Sequence, residues 1–224
     1  MPLDHLSDST QNYLKIIWSI TEHADAPATT SVIAARAGLR LSSVSDAVKR
    51  LVAAGLVEHQ PYGAIELTQE GQAAALQVIR RHRLIETFLV KTLGYTWDQV
   101  HDEAEVLEHA VSDLMVERID AVLGYPTRDP HGDPIPSVSG EVDKLAGLTL
   151  EQACEGQQLV VERISDADPA LLRFLAQQGV GPEAKLTVLS RDAAGHITLS
   201  TRGEATFALS PQCAAAVFVT TATS

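Results

Sequence analysis

The N-terminal part of the chain contains two short helical patterns separated by a tight turn. The first helix is predicted over residues 30–37, with Thr30 as its capping residue. Gly38 begins the turn, and Ser42 is positioned to cap the second helix, which Gly55 ends. Two helices joined by a turn of this length are typical of a helix-turn-helix unit.

A β-hairpin is predicted directly after the second helix. Residues 56–59 and 64–67 alternate apolar and polar side chains around a turn at residues 60–63. An amphipathic helix over residues 8–22 precedes the whole unit. A helix-turn-helix followed at once by a hairpin predicts a winged helix, which we place within residues 1–73.

The second helix of this unit has an apolar face and a polar face. Four aliphatic residues are predicted to be buried: Val44, Val48, Leu51 and Val52. Hydroxyl and basic side chains contact mainly the DNA backbone in helix-turn-helix proteins. The residues that we expect to face DNA are Arg40, Ser42, Ser43, Ser45, Lys49 and Arg50. Such three-helix modules also serve as dimerisation or scaffolding domains, so both interpretations stay open at this point.

The net charge of −12 is unevenly distributed along the chain. Residues 1–91 carry nine Lys+Arg and nine Asp+Glu, whereas residues 92–224 carry eight and twenty. Within residues 26–83 the basic side chains outnumber the acidic ones by seven to four. The N-terminal part can therefore approach phosphate, while the remainder repels it unless cations are bound.

Carboxylates and imidazoles share faces of two predicted helices. On a helix over residues 97–122, four such side chains fall on one face: His101, Glu105, Glu108 and His109. On a helix over residues 69–92, His82 and Glu86 stand four residues apart. Crowded carboxylates repel one another, and a bound divalent cation is the simplest reason to keep them together. The alternative is a solvated acidic face with incidental histidines.

The second half of the chain predicts a different kind of domain. Helices end near Gly124, a Pro-rich segment covers residues 128–136, and a linker is predicted over residues 137–147. One helix is predicted at residues 169–178. Five short strands surround it, at residues 158–164, 184–190, 196–201, 205–209 and 215–221. This pattern predicts a small β-barrel.

Composition excludes several classes of protein. No apolar run is long enough to span a membrane, and no secretory signal pattern is present. The two cysteines, Cys154 and Cys213, do not make a disulfide framework. We therefore expect a cytoplasmic protein with reduced thiols and no membrane partner.

Four segments of the ligand-bearing region are distinctive: Arg81-His-Arg-Leu84 with Glu86, Val100-His-Asp-Glu-Ala104, Glu108-His-Ala-Val-Ser-Asp113 and His131-Gly-Asp-Pro-Ile-Pro136. Through these segments and the order of its domains, nearly the whole chain resembles the diphtheria toxin repressor family of metal-dependent transcription regulators. This resemblance implies a mainly α fold with a small β domain: a winged helix (1–73), a helical metal-binding and dimerisation domain (74–136), a linker (137–147) and a small Src-homology-type β-barrel (148–224).

The resemblance also implies two metal sites. The first would use Asn12, His82, Glu105, Glu108 and His109. Manganese-type members usually carry aspartate at the position of Asn12 and iron-type members methionine, so the role of Asn12 is open. The second site would use either His82, Glu86 and His101, as in the iron branch, or Glu86, Asp129, His131 and Asp166, as in barrel-bearing manganese regulators. We favour the latter set, although Asp166 is also a possible cap for the following helix.

The residue at position 105 separates the two branches of the family. The iron branch has a cysteine there, whereas this chain has the glutamate of the manganese branch. A hard carboxylate suits Mn²⁺ better than a thiolate does. The resemblance thus implies a Mn²⁺-dependent repressor of metal-uptake genes, with Fe²⁺ as the alternative activator and Zn²⁺, Co²⁺ or Cd²⁺ as surrogates.

The expected partners are double-stranded operator DNA and a second copy of the chain, with no small-molecule substrate and no catalytic residues. Two rival functions come from other classes. One is a binuclear metallohydrolase that activates a metal-bound water. The other is a metal-buffering protein whose winged helix mediates assembly only.

Overall fold

The N-terminal elements form a winged helix in the computed structural model, which describes residues 3–23, 27–59, 63–143, 147–201 and 205–222. A 3-10 turn at Leu3–His5 precedes three helices. The helices are α1 (Asp8–His23), α2 (Thr30–Ala37) and α3 (Leu41–Ala53). The wing consists of antiparallel strands β1 (Val57–His59) and β2 (Ile65–Leu67), paired through Glu58 and Glu66. The predicted turn at 60–63 lies, apart from Gly63, outside the described residues.

Two of the predicted helix caps are wrong by one or two residues. The α2 helix is capped by Thr29, whose side chain accepts a hydrogen bond from the backbone of Val32. The α3 helix starts at Leu41 after Arg40, and no side-chain cap is present there. Neighbouring hydroxyl residues compete for one cap position, and the backbone geometry of the turn decides between them. Gly38 takes a left-handed conformation (φ 64°), as a tight turn after a helix requires.

The core of the winged helix forms where the helices meet the hairpin. Its largest fully buried side chains are Leu14, Ile17, Ile20, Ile33, Leu56 and Ile65. On α3, Val44, Val48 and Leu51 are buried as predicted. Val52 is 44% exposed, so its predicted burial is wrong. The reason is that Val52 lies about 100° around the helix from Leu51, at the edge of the apolar stripe.

The long helix α4 (Gln69–Leu93) follows the wing. The Thr68 side chain accepts a hydrogen bond from Gly71 N at 3.1 Å, which caps the start of α4. A side chain at Gly71 would collide with the carbonyl oxygen of Leu56, because a Cβ there would lie 1.9 Å from it. The described residues divide into two compact units, one reaching to His82 and including Pro136–Glu141, the other containing residues 83–135 and 142–222.

The predicted helix over residues 97–122 is two helices. They are α5 (Val100–Leu107) and α6 (Asp113–Val122). Ser112 caps α6 by accepting a hydrogen bond from Met115 N, which starts a new helix and separates it from α5. Glu108 and His109 therefore lie at and just beyond the C-terminal end of α5 rather than in the middle of a helix.

The C-terminal residues form one six-stranded antiparallel sheet in the order β3-β8-β4-β5-β6-β7. Its strands are β3 (Leu148–Thr149), β4 (Gln158–Ile164), β5 (Lys185–Arg191), β6 (Ile197–Thr201), β7 (Ala205–Leu209) and β8 (Val217–Thr221). Strand β8 begins two residues later than the predicted strand at 215–221, because the short helix α8 (Pro211–Ala215) precedes it. The additional strand β3 was not predicted.

One helix, α7 (Pro169–Gln177), covers the core of this sheet domain. Asp168 caps it by accepting hydrogen bonds from Ala170 N and Leu171 N. The alternative role of Asp166 as the cap of this helix is therefore wrong. Leu171, Leu172 and Leu175 of α7 belong to the buried core of the domain.

A second apolar cluster in the same unit joins α4, α5 and α6 through Leu84, Ile85, Leu89, Val100, Ala104 and Ile119. Across the described ranges, no helix has the length and hydropathy needed to cross a bilayer.

Candidate metal centre

Glu86 of α4 is the residue around which two groups of possible metal ligands meet. Its side chain is 1% exposed, so the carboxylate is removed from bulk water. The Oε1 atom lies 3.6 Å from Nδ1 of His101, and the Oε2 atom lies 4.0 Å from Nδ1 of His131. The two carboxylate oxygens thus face two different imidazoles.

The first group consists of Glu86, His101 and Asp166, whose ligand atoms lie within 4.8 Å of one another. His101 Nδ1 is 2.9 Å from Oδ2 of Asp166, and its Nε2 is 3.7 Å from Oε1 of Glu105. Asp166, and then Glu86, raise the pKa of His101 to about 11. Without a metal, a protonated His101 therefore supplies the positive charge that these carboxylates need.

The second group consists of Glu86, Asp129 and His131, again with ligand atoms within 4.8 Å of one another. Asp129 Oδ1 accepts hydrogen bonds from the backbone N–H groups of His131 and Asp133, both at 2.9 Å. Burial, then the nearby charges of Asp133 and Glu86, raise the pKa of Asp129, while Arg83 opposes the rise. These buried acidic groups favour a cation among them.

His131 is held in an orientation that suits a metal ligand. Its Nε2–H donates a hydrogen bond to the backbone carbonyl of Trp97 at 2.7 Å, and the indole stacks on the imidazole with ring centroids 6.0 Å apart. In the neutral ring this leaves the lone pair on Nδ1. Among the described residues no hydrogen-bond partner is found for this buried Nδ1. A lone pair that faces a buried carboxylate at 4.0 Å fits a divalent cation between them.

The Pro-rich turn that carries Asp129 and His131 is attached to strand β4. Ile164 N donates a hydrogen bond to the carbonyl of His131 at 2.9 Å. Gly132 has φ 94°, and a Cβ there would lie 2.0 Å from the carbonyl oxygen of Glu162, so only glycine fits this close approach. Arg128 closes the turn by donating to the carbonyl of Gly132 at 2.7 Å.

The predicted ligands of the first metal site lie on α5 or just after its end, on α4 and on α1. Glu105 and Glu108 offer carboxylate oxygens within 4.8 Å of each other, and Glu108 is fully buried. His109 Nε2 is 3.4 Å from Oε1 of Glu108. His82 is buried on α4, one helical turn before Glu86. Asn12 is half-buried on α1, in the first compact unit.

The predicted DNA-facing residues lie at the start and on the outer face of α3. Arg40, Ser42, Ser43, Lys49 and Arg50 are exposed, and Ser45 is half-buried. Lys49 pairs with Asp46 at 3.1 Å, between two exposed side chains. Such a pair contributes little to stability, and Lys49 can exchange Asp46 for a phosphate at little cost.

Sequence reasoning missed two groups of residues at these sites. Leu39, in the turn before α3, and Leu41, the first residue of α3, are 50% and 56% exposed, and exposed apolar side chains at such positions suit thymine methyl groups. Their spacing gave no signal, because they resemble ordinary core leucines. Trp97 and the buried Arg83 were also missed, because they reach the turn at residues 128–136 only through the fold.

Three models of known families match consecutive parts of the chain. Residues 5–65 match the iron dependent repressor N-terminal DNA binding domain. Residues 68–137 match the iron dependent repressor metal binding and dimerisation domain, and residues 148–221 match the FeoA domain. The order of the three matches is the order of the winged helix, the ligand-bearing helices and the sheet domain.

Individual proteins are similar over nearly the full length. The iron-dependent repressor IdeR of Mycobacterium tuberculosis is 32% identical over 97% of this chain and 99% of its own length. A solved structure of a manganese-dependent transcriptional repressor in complex with manganese is 46% identical, with a TM-score of 0.90 over 95% of this chain and 100% of that one. ScaR with bound Zn²⁺ is 32% identical, with a TM-score of 0.81 over 95% of this chain and 99% of that one. The chain belongs to the diphtheria toxin repressor family of iron-dependent repressors, in its manganese-type branch.

Proposed function

We propose that this protein is a Mn²⁺-activated transcriptional repressor that binds double-stranded operator DNA as a homodimer and controls metal-uptake genes. The observation that carries the proposal is the buried Glu86 carboxylate, which faces His101 and His131 in a chain that also has a winged helix. A protein of this kind acts on chromosomal DNA, so we place it in the cytoplasm.

The donor atoms support manganese as the activating metal. Carboxylate oxygens, imidazole nitrogens and the Asn12 amide oxygen supply all of the proposed ligands, and neither cysteine is among them. Oxygen donors suit Mn²⁺, whereas thiolates favour softer metals. One structural neighbour at 46% identity is described as a manganese-dependent repressor in complex with manganese. Fe²⁺ is the alternative, because IdeR is described as iron-dependent. The Zn²⁺- and Cd²⁺-bound forms of ScaR support those ions as surrogates.

We assign the ligands to two sites. The first uses His82, Glu105, Glu108 and His109, with Asn12 as a neutral oxygen donor from α1. The close approach of Glu105 and Glu108 supports it. The second centres on Glu86 and uses Asp129, His131 and Asp166. Nδ1 of His101 lies 2.9 Å from Asp166 and 3.6 Å from Glu86. This proximity to two proposed ligands supports His101 as a further ligand once its ring has lost its proton.

Metal binding would activate DNA binding by removing carboxylate repulsion and by ordering the winged helix. In the metal-free protein His101 lies beside Asp166 and Arg83 lies beside Asp129, and a bound Mn²⁺ would add two positive charges among these acidic groups. The α4 helix carries His82 and Glu86 and begins directly after the wing, at Gln69. A fixed α4 in each subunit would set the spacing of two recognition helices for two half-sites.

Exposed apolar side chains support the homodimer. Large hydrophobic residues are solvent-exposed at the end of α4 and on α5 and α6: Leu93, Val106, Leu114, Met115 and Val122. Such a concentration on the helices that match a metal binding and dimerisation domain is typical of a protein interface. One winged helix alone gives a small footprint on DNA, and a dimer doubles it.

The test is DNA binding to a duplex from the upstream region of the protein's own gene. Affinity is compared at fixed ionic strength with Mn²⁺, Fe²⁺, Zn²⁺ and chelator, because salt alone changes protein–DNA affinity strongly. We expect Mn²⁺ to tighten binding and chelator to abolish it. Equal affinity with and without chelator would contradict the proposal.

The same experiments separate the two rival functions. Failure to bind any promoter duplex at saturating Mn²⁺ would favour a metal-buffering protein. Phosphoesterase activity that depends on Glu108 would favour a binuclear metallohydrolase. The family is one of transcriptional repressors, and its members are not enzymes, so the second rival receives no support from the comparisons.

A further inference from the structure

We infer that Arg83 is a built-in competitor of the metal at the second site and raises the Mn²⁺ concentration that this site needs. The inference rests on the proposed site of Glu86, Asp129 and His131. Arg83 stands three residues before Glu86 on α4, and the residue is buried, at 7% exposure. A buried guanidinium beside a cation site opposes the cation electrostatically.

The contacts of Arg83 place its guanidinium beside Asp129. Its Nη1 donates to the carbonyl of Pro134 at 2.7 Å, and its Nη2 donates to Oδ1 of Asp133 at 3.3 Å. These two contacts hold the guanidinium against the Pro-rich turn. Its Nε then lies 3.8 Å from Oδ2 of Asp129.

Asp129 has one oxygen left for a cation, and Arg83 faces that oxygen. The Oδ1 atom already accepts two backbone hydrogen bonds, from His131 and Asp133. Two such bonds use both lone pairs of a carboxylate oxygen. A metal that binds Asp129 must therefore use Oδ2, the same atom that lies beside Nε of Arg83. Arg83 and the metal compete for one oxygen.

Arg83 has a role in both the metal-free and the metal-bound protein. Without metal, Arg83 neutralises buried acidic groups that would otherwise repel one another, so the turn keeps its shape. With metal, the guanidinium charge remains close to the cation and weakens its binding. A sensor with this device responds to a higher metal concentration than its acidic ligands alone would dictate.

Arg163 of β4 offers a matched control. Its Nε donates to Oδ1 of Asp133 at 2.6 Å, and its guanidinium lies over the ring of Phe218, 4.9 Å from the centroid. It is as buried as Arg83, at 6% exposure. Its described contacts reach Asp133 but not Asp129. Removing either arginine deletes one buried positive charge, but only Arg83 faces the proposed metal ligand.

The experiment titrates the full-length protein with Mn²⁺ alone, by calorimetry, with free Mn²⁺ followed by electron paramagnetic resonance. All proteins carry Glu105→Gln, which removes a ligand of the first site and isolates the second. We expect Arg83→Gln to tighten Mn²⁺ binding about tenfold or more, because a fixed positive charge beside the cation is removed. We expect Arg163→Gln to change the affinity less than about threefold, and Arg83→Lys, which keeps the charge, to stay near the parent.

Thermal unfolding without metal separates this role from a structural one. Both Arg83→Gln and Arg163→Gln should lower the melting temperature of the metal-free protein, since each leaves buried carboxylates less well neutralised. Only Arg83→Gln should combine lower metal-free stability with tighter metal binding. Unchanged or weaker Mn²⁺ binding in Arg83→Gln would overturn the inference and leave Arg83 as a residue that positions the turn.

A pair of double variants covers the case in which a single variant fails to fold. Arg83→Gln with Asp133→Asn is compared with Arg163→Gln with Asp133→Asn, and the two proteins have the same net charge. The first should bind Mn²⁺ at least about tenfold more tightly than the second. Equal affinities would overturn the inference. If the Glu105→Gln parent binds no Mn²⁺, the second site itself is wrong, which is seen before any arginine variant is compared.

Discussion

His131 and Glu86 face each other across the candidate second metal site. The Nδ1 atom of His131 lies 4.0 Å from Oε2 of Glu86, and both side chains are 1% exposed. The other ring nitrogen of His131 donates to the carbonyl of Trp97, so the ring cannot turn away without breaking that hydrogen bond. The pair is therefore preset to hold a cation rather than to be solvated.

Replacing His131 tests whether this pair binds metal. We expect His131→Gln to weaken Mn²⁺ binding at the second site by about tenfold to a hundredfold, because a ring nitrogen ligand is removed. Calorimetric titration measures the change. His196→Gln is the control, since His196 is exposed and pairs with Asp192 at 3.0 Å in the sheet domain. Identical titrations of the two variants would remove His131 from the site.

The stability of the metal-free protein should depend on pH through His101. Its pKa is raised from 6.5 to about 11 by Asp166 and Glu86, so its charged form stabilises the folded state. A raised pKa gives stabilisation that is complete below pH 6.5 and is lost as the pH rises toward about 11. The melting temperature of metal-free native protein should therefore exceed that of His101→Gln most at about pH 6, and the difference should shrink by about pH 10.

The same protonation predicts how metal binding responds to pH. Mn²⁺ cannot bind a protonated imidazole, so its affinity at this site should rise with pH and binding should release a proton. Calorimetry in two buffers of different ionisation enthalpy measures that release. A melting-temperature difference that stays constant between about pH 6 and about pH 10, or binding without proton release, would show that His101 carries no such proton.

The exposed basic residues of α3 should control the salt dependence of DNA binding. Lys49→Ala and Arg50→Ala should each weaken operator binding and lower the log–log salt slope by about 0.9 for each phosphate that the protein no longer neutralises. Metal binding should not change. Lys185→Ala is the control, because Lys185 is exposed on β5 of the sheet domain. Unchanged slopes in both α3 variants would mean that another face of the winged helix meets DNA.

Asn12 should reveal how α1 participates in activation. If its amide oxygen is a ligand, Asn12→Asp should tighten Mn²⁺ binding and lower the Mn²⁺ concentration needed for DNA binding, because a charged oxygen replaces a neutral one on a hard cation. If the amide instead donates a hydrogen bond that docks α1, the aspartate should weaken activation although metal still binds. Paired metal titrations and DNA-binding assays separate these cases, and no change in either would exclude Asn12 from the site.

The exposed side chains of α6 should hold the dimer together. Leu114→Glu places a charge on a residue that is 62% exposed in the single chain, and we expect it to shift metal-loaded protein toward monomer. Val138→Glu is the control, since Val138 is 86% exposed and lies in the predicted linker. Sedimentation at micromolar concentration measures the shift. A metal-loaded native monomer that still binds the operator would contradict the dimer.

Local sequence patterns correctly predicted the helices and strands whose own residue preferences favour the conformation that they adopt in the fold. The predicted strands at 158–164 and 205–209 match β4 and β7, because alternating and apolar runs bounded by turn residues suit few other conformations. The winged helix was predicted from its turn and its hairpin. The caps of α2 and α3 and the break between α5 and α6 were not, because several residues at each end can cap and the surrounding packing chooses among them.

The candidate metal ligands likewise include some that the sequence determined and others that only the tertiary structure brought together. Helical periodicity alone determined that Glu105 and Glu108 share a face, because about four residues make one helical turn. Only the tertiary structure decided that Glu86 meets both His101 and His131, and that Arg83 lies beside Asp129. Those residues are far apart along the chain, and their approach depends on how the Pro-rich turn fits against β4 at Gly132. A contact of that kind is produced by packing between elements, which no local pattern encodes.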